Sequence, residues 1–556
     1  MSRVRIPNDK VFRGIFPGEF FGNIWMAKNI DLERIPGAIL PSETLASVFD
    51  STDDADLTLP IAFVRTAADG TDRWWAMGGK LFKTTNTNPE AGWAQDAIAS
   101  SPTAPVDDMI EFADALLVST DTNIDRLSTT WDDNWWSGTL TGTAVMTSSP
   151  HRYGIFAGAV LITDGRFINT YDGTIARDPA LTLPADFESQ WVRATADYAY
   201  IGCDGIGDRE EGEVFFWDRA ASTFNARYEA GDRRVLAGFT VYGIPYIITG
   251  KGAIKRFTGQ GFRTVQQFPT LELNKEISTL HPNGVTVLDN GTVLINVNFG
   301  VLADMRVLSG VWLYNANNNN LYHHLSGDNN ASNDYGQLEV SDVGAIVTTR
   351  PTQGRYLIGQ TTYEVYTGTT ESIIHTSDED STSGQRALII TPKIESRDVN
   401  GFFRQIFPIF RRFRNSGDRL RFAYRVRESN TLPAYETITW VTSTTFTGAN
   451  DNVIVGDFVL VLAGPNAGAL AKITAITDAA PNTFTIDLTL NSSTSDARAM
   501  YLPFVDLSTI SSQAIQHTVM RIAQRSSWVQ FLIEARGDET SPEFMGLIHE
   551  FDNIPF

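Results

Sequence analysis

The side chains able to do chemistry in this chain are scattered. Its seven histidines are His151, His281, His323, His324, His375, His517 and His549, and no pair has the spacing of an HExxH helix. A zinc centre is therefore not expected. His323 and His324 are adjacent in NLYHHL, and neighbours on a strand point to opposite faces, which rules against a shared metal. Asp121, Asn123 and Asp125 open like a calcium loop, but Arg126 stands where that loop needs glycine and Asp132 where it needs glutamate. A hydrated hairpin turn is the better reading. The single Cys203 lies in the apolar run YAYIGC and reads as a small buried hydrophobe, so neither a disulfide framework nor a multi-cysteine site is available. Gly250 and Gly252, and Gly259 and Gly261, do not extend to a phosphate-binding GxGxxG or Walker loop, and there is no GxSxG elbow. Paired carboxylates would suit a glycosidase, but 65 acidic residues cannot single out a pair, and TDGRFINTYDG lacks the tryptophan and residue order of a sialidase box. No catalytic residue, cofactor or metal follows, and an enzyme is not expected.

Two constellations suggest contact rather than catalysis. Trp74–Trp75 and Trp135–Trp136, with Trp131 nearby, should each place one indole outside its sheet face. Such a ring suits sugar stacking or a protein interface, although packing between neighbouring sheets is the favoured reading. The segment GFFRQIFPIFRRFRNSGDRLRFAYRVR carries arginines and no lysine in a chain of net charge −21. Arginine interleaved with phenylalanine suits a desolvated interface, because guanidinium is weakly hydrated and forks onto carboxylates. A strip for nucleic acid and a strand with a solvated arginine face are the alternatives. Candidate interface residues are Arg404, Phe407, Phe410, Arg411, Arg412 and Arg414, together with Trp74 and Trp135.

The elements that position these residues are short strands. The chain has 556 residues, with 44 Gly, 23 Pro, 12 Trp, 16 Tyr and 33 Phe; this length implies several domains, and this composition many strands joined by turns. The negative charge argues against general affinity for nucleic-acid backbones, while leaving room for a channel that DNA passes without sticking. No apolar run reaches the ~20 residues of a membrane-spanning helix, and the opening MSRVRIPNDKVFRG lacks the apolar core of a signal peptide.

One pattern recurs. RWWAMGGKLFKTTNT, ALLVSTDTNIDRL, AVLITDGRFINTYDG, PYIITGKGAIKRFTG and RYLIGQTTYEVYTG each read as an apolar strand, a tight turn and a second strand. YAYIGCDGIGDREEGEVFFWDR and TVLINVNFGVLADMRVLSGVWLYN are the same hairpin with longer loops. Hairpins recurring every ~40–45 residues match four-stranded propeller blades. The expected fold is all-β: residues 1–50 as an N-terminal strand or arm joining the propeller, and 51–372 as a β-propeller of six to eight blades. After a polar linker, ESIIHTSDEDSTSGQR, a C-terminal β-sandwich follows over 385–444 and 500–556. Residues 445–499 are expected as a small inserted SH3-like barrel, with turns at Gly456, Gly464 and Gly468.

NIWMAKNIDLERIPGAILPSE at the start, the hairpins AVLITDGRFINTYDG and RYLIGQTTYEVYTG, and WVQFLIEARGDETSPEFMGLIHEFDNI at the end resemble a family of bacteriophage tail proteins. These pair a β-propeller with a C-terminal β-sandwich and build the nozzle or hub of the tail. The inserted 445–499 unit departs from that pattern. The resemblance implies a structural virion protein without enzymatic activity. Copies would form a ring, bind adjacent tail or portal-side proteins, and allow non-specific passage of DNA. Alternatives of other classes are a carbohydrate-binding or glycan-cleaving propeller and a host protein-interaction propeller.

Overall fold

The computed structural model describes residues 2–7, 26–32, 39–42, 44–50, 61–66, 73–77, 80–84, 96–97, 106–140, 146, 150–268, 276–288, 290–299, 309–325, 335–341, 355–360, 364–366, 369–371, 373–378, 385–391, 393–395, 401–411, 413–414, 417–426, 435–450, 452–461, 469–478, 481–490, 496–511, 519–537 and 542–552. The chain is all-β, with repeated four-stranded antiparallel sheets.

Blade one is built from Ile61–Thr66, Arg73–Met77, Lys80–Thr84 and Asp96–Ala97. Blade two runs from Val106–Phe112 to Trp131–Asp132, blade three from Tyr153–Phe156 to Ala176–Thr182, and blade four from Phe187–Ala194 to Ala226–Glu229. Blade five runs from Val235–Val241 to Phe262–Gln267, and blade six from Val285–Val287 to Asn320–Leu325. Blade seven takes Tyr335–Ser341, Arg355–Gln360 and Ile373–Asp378, and borrows its fourth strand, Thr44–Asp50, from the N-terminal region. The first strand of each blade neighbours the first strand of the next, and that of blade seven meets that of blade one, so the ring closes. Seven blades among the described residues fall within the expected six to eight.

Two places in blade seven differ from the sequence reading. RYLIGQ does not pair with TYEVY: Arg355–Gln360 pairs with Ile373–Asp378, and Glu364–Tyr366 forms a separate hairpin with Thr369–Glu371. The segment read as a polar linker therefore holds a blade strand. Its alternation is masked by polar Thr376, Ser377 and Asp378, although it sits third in the blade, between Arg355–Gln360 and Thr44–Asp50.

The middle strands carry the core. Ala115–Thr120, Ala159–Asp164, Glu213–Trp217 and Gly310–Asn315 are buried along their whole length, as strands covered on both faces must be. Trp191 shows how tightly adjacent blades meet. Its indole N–H donates to the Val235 carbonyl at 2.8 Å. A Cβ added at Gly202 or Gly238 would fall 2.1 or 2.2 Å from its ring, so only glycine allows that approach.

Beyond the propeller the described residues form two larger sheets, with the short pair Ile30–Asp31 and Leu40–Pro41 beside them. One orders Ser2–Pro7, Phe544–Asp552, Gly401–Phe410 and Met520–Ser526. The other joins Met26–Lys28, Gln385–Ile390, Trp528–Gly537, Arg419–Arg425 and Val505–Ile510, with Ile394–Glu395 at its side. A closed barrel of six strands runs from Tyr435–Thr442 to Asp496–Leu502 and has its own core around Trp440, Phe446, Val459 and Phe484. The barrel thus begins and ends outside the 445–499 read from sequence. The N-terminal region is shared out more widely than expected: among its described strands Thr44–Asp50 joins a propeller blade, while Ser2–Pro7 and Met26–Lys28 pair into the two sheets.

Candidate functional site

Three groups of residues merit a functional reading: the arginine segment, the tryptophan pairs and a polar knot on the propeller axis.

Most of the arginine segment is engaged within the chain. Arg411 Nη1 lies 2.8 Å and Arg414 Nη2 3.2 Å from the carboxylate of buried Glu543. Arg421 reaches Asp487 at 3.1 Å and Asp506 at 3.2 Å, and its guanidinium stands 4.6 Å over the Phe458 ring. Asp487 and Phe458 lie within the barrel's stretch of chain, so Arg421 pins the barrel to the sheet. Its two carboxylates and their hydrogen bonds outweigh burial and raise its pKa. Arg425 is buried between Phe504 and Trp528 and donates to Gln530 Oε1 at 2.5 Å. Phe410 is buried against Phe413. Arg404 is exposed and Phe407 half-buried on the outer face of their sheet. Arg412 lies outside the described residues.

Both tryptophan pairs are inside. Trp75 stacks on Phe82 at 5.5 Å. Trp135 meets Trp136 and Tyr171 edge-on at 6.3 and 5.0 Å, in a helical turn over Trp135–Leu140. The Trp136 indole donates to Asp178 at 3.0 Å. Packing between blades explains Trp135. Trp74 is also buried, but it borders a 430 Å³ cleft between blades one and two, lined by Lys83, Glu111, Asp114 and Ser128, with Lys83 Nζ 4.9 Å over its ring.

The adjacent histidines both contact the backbone of the N-terminal region. His323 and His324 are fully buried on blade six, where the N-terminal region crosses. The Asn29 amide donates to His323 Nδ1 at 3.3 Å, so Nε2 carries the proton and faces the Ser309 carbonyl. His324 Nδ1 faces the Ile30 carbonyl at 3.2 Å. The pair reads two adjacent backbone positions of one crossing segment. Among the described residues no group of three or more His, Cys, Asp or Glu is placed to hold a metal. Cys203 is buried, and burial pushes its thiol pKa well up.

Asp121, Asn123 and Asp125 lie at a turn that is tied to Asn134 further along the chain. Asn123 Nδ2 donates to Asn134 Oδ1 at 2.9 Å, and Asp125 Oδ1 accepts from the Asn134 amide at 2.7 Å. Burial, with Asp133 and Asp132 alongside, raises the Asp125 pKa to about 7.

The polar knot has no local sequence signal. Asp108 on blade two accepts from the amides of Met109 and Tyr153 and from Asn283 Nδ2, the last at 2.9 Å. Arg193 on blade four donates to Asn283 Oδ1 at 2.7 Å and to the Pro282 carbonyl at 2.9 Å. Asn283 leads into blade six, so one turn, His281 to Gly284, joins three non-adjacent blades across the ring. That joining places it on the propeller axis. The only cue in the sequence is the turn-forming HPNG itself.

No protein-family model and no curated protein matches the chain. Solved structures similar to it include the Cps50 (Swd1) β-propeller domain of Myceliophteria thermophila, at 10% identity and TM-score 0.39, covering 58% of this chain and 97% of that one. Another is the Pan2 WD40 domain of Neurospora crassa, at 9% identity and TM-score 0.40, covering 61% and 97%. No described helix is long and apolar enough to cross a membrane.

Proposed function

We propose that this chain is a structural, non-enzymatic component of a bacteriophage virion tail, of the nozzle or hub type, assembled from several copies and bound to adjacent tail or portal-side proteins. The two sheets beyond the propeller are read as a β-sandwich, and the six-stranded barrel as its SH3-like insertion. The observation that carries this reading is the lacing of the chain's ends. Ser2–Pro7 pairs with Phe544–Asp552, Met26–Lys28 pairs with Gln385–Ile390, and Thr44–Asp50 closes blade seven. One apolar core runs from blades five and six through both sheets. Among the described residues, propeller and sheets are thus joined at several points, and a multiply braced part suits the transmission of load. The knot at Asn283 adds a constraint: DNA would not thread a single propeller. Any exit path would be the axis enclosed by a ring of copies, where net charge −21 disfavours sticking to phosphate.

Quantitative mass spectrometry of purified particles tests this. The reading expects the chain at several copies per particle; its absence from intact particles would overturn it.

The cleft at Trp74 favours one alternative, a carbohydrate site. Its volume lies in the roughly 300–1,000 Å³ range of small-ligand pockets, and it offers Lys83, Glu111, Asp114 and Ser128 beside an indole. A glycan array on folded protein would support it by binding that Trp74→Ala abolishes.

A further inference from the structure

The cleft between blades one and two is bordered by a turn of unusual composition. Ala113 and Asp114 join the first two strands of blade two, and both hold left-handed φ angles, +51° and +59°. The same two-residue turn joins the first two strands of blade three at Ala157–Gly158 and of blade five at Tyr242–Gly243. In those blades the second position is glycine, which has no Cβ to strain in that region. Blade two carries an aspartate there instead. Aspartate is tolerated in left-handed backbone where its side chain bonds back to the local chain. At Asp114 no hydrogen bond or ion pair among the described residues engages the carboxylate. It is exposed and lines the cleft. Strain kept at a turn that neighbouring blades make with glycine points to a use for the side chain.

The turn is braced. Phe112 opposes Ala115 at its base, and a Cβ at Gly173, in the last turn of blade three, would lie 3.4 Å from that of Ala113. Asp114 is thus presented from a fixed hairpin rather than a loose loop.

The rest of the wall is mixed. Trp74, Phe112 and Leu127 supply apolar surface, and Lys83 and Glu111 supply charge. Trp74 is 8% exposed, and its buried indole N–H has no hydrogen-bond partner, which is uncommon for a buried donor. Lys83 Nζ stands 4.9 Å over the Trp74 ring. Of the charged groups lining the cleft, two are carboxylates and one is an ammonium. The ammonium offsets one carboxylate, which leaves the wall negative. Ionised carboxylates accept hydrogen bonds from hydroxyls and repel other anions. Apolar surface beside them suits the C–H face of a sugar ring.

We infer that the cleft takes a neutral, hydroxyl-rich sugar in preference to an acidic one, with Glu111 and Asp114 accepting its hydroxyls and Asp114 setting the preference. The inference rests on the carbohydrate reading of this cleft and names the class of sugar. It is independent of how copies of the chain assemble.

The test uses the full chain and a panel of neutral glucose, galactose and mannose oligosaccharides, each with a counterpart that carries a uronic acid. Array binding finds the ligands, and calorimetry at low salt measures them. At least one neutral oligosaccharide should bind, with its acidic counterpart at least tenfold weaker. Asp114→Gly puts in blade two the residue that blades three and five use, so it should unfold at the same temperature as wild type or higher. It should nevertheless bind the neutral ligand at least tenfold more weakly. Asp114→Asn keeps a hydrogen-bonding side chain without the charge; it should hold the neutral ligand and lose most of the discrimination against the acidic one. Equal binding of neutral and acidic members by wild type, or undiminished binding by Asp114→Gly, would overturn the inference and leave a carbohydrate site standing. Wild type that binds no member of the panel would remove the carbohydrate reading as well.

Discussion

Asp125 titrates where few carboxylates do. Burial, with Asp133 and Asp132 beside it, raises its pKa from 3.8 to about 7. A carboxyl that holds its proton more tightly in the folded state favours folding at low pH. Its contribution is full below pH 3.8, declines across the window to about 7, and is gone above that. Asp125→Asn keeps an oxygen to accept from the Asn134 amide and has no charge to bury. Urea denaturation at pH 5 and pH 8 should therefore show a fall in wild-type stability that the variant lacks, on the order of 2 kcal/mol once solvent screening is allowed for. Equal pH dependence in the two proteins would contradict this. Trp191 gives a packing counterpart. Gly238→Ala places a methyl 2.2 Å from its ring and should cost about 1–3 kcal/mol by overpacking, read as a lower unfolding midpoint with unchanged strand content.

At the scale of elements, the strand Thr44–Asp50 closes a ring whose other strands lie far along the chain. Its register places Thr44 opposite Asp378 and Asp50 opposite Ile373. Removing residues 1–43 should loosen the two outer sheets. Removing 1–50 should in addition leave blade seven one strand short and open the ring. Hydrogen exchange should then show lost protection in Arg355–Gln360 and Ile373–Asp378 only in the longer deletion. Loss in both deletions alike would mean that closure depends on the docked ends rather than on this strand.

This pairing also shows what the sequence could reveal. AVLITDGRFINTYDG folds as the hairpin Ala159–Asp164 with Phe167–Tyr171, and RWWAMGGKLFKTTNT as Arg73–Met77 with Lys80–Thr84. Both are middle strands of a blade, where burial on both faces forces an apolar run and the turn is local. Outer strands such as Ala176–Thr182 are largely exposed and polar, so nothing in their composition marks them. The inner strand Val106–Phe112 carries Asp107, Asp108 and Glu111, which break its apolar run, so its place in a blade is hard to read from composition. The arginine segment stood out by charge contrast, but composition cannot tell a largely buried arginine, like Arg421, from an exposed one, like Arg404. The knot of Asp108, Arg193 and Asn283 joins residues whose proximity only ring closure creates.

At the scale of the molecule, propeller, sheets and barrel are joined by one apolar core, which the barrel enters through Phe458, Leu460, Leu470, Met500 and Leu502. The barrel also keeps a second core of its own, and Arg421, Lys472 and their shared Asp506 add polar ties at its seam. Arg421→Ala should therefore weaken the barrel's docking without unfolding the propeller, seen in hydrogen exchange as faster exchange in Phe458–Val461 and Leu470–Thr477 with Val235–Val241 unchanged. Equal loss of protection in Val235–Val241 would contradict that division.

The central claim is that this rigid chain is a repeated part of a phage tail. The most direct measurement is cryo-electron microscopy of purified particles decorated with an antibody fragment raised against the barrel. The account predicts fragments bound around the tail axis at one level of the tail, in the number of copies per particle, with propeller-sized density beside each. Particles that are intact, contain no such density and bind no fragment would contradict it.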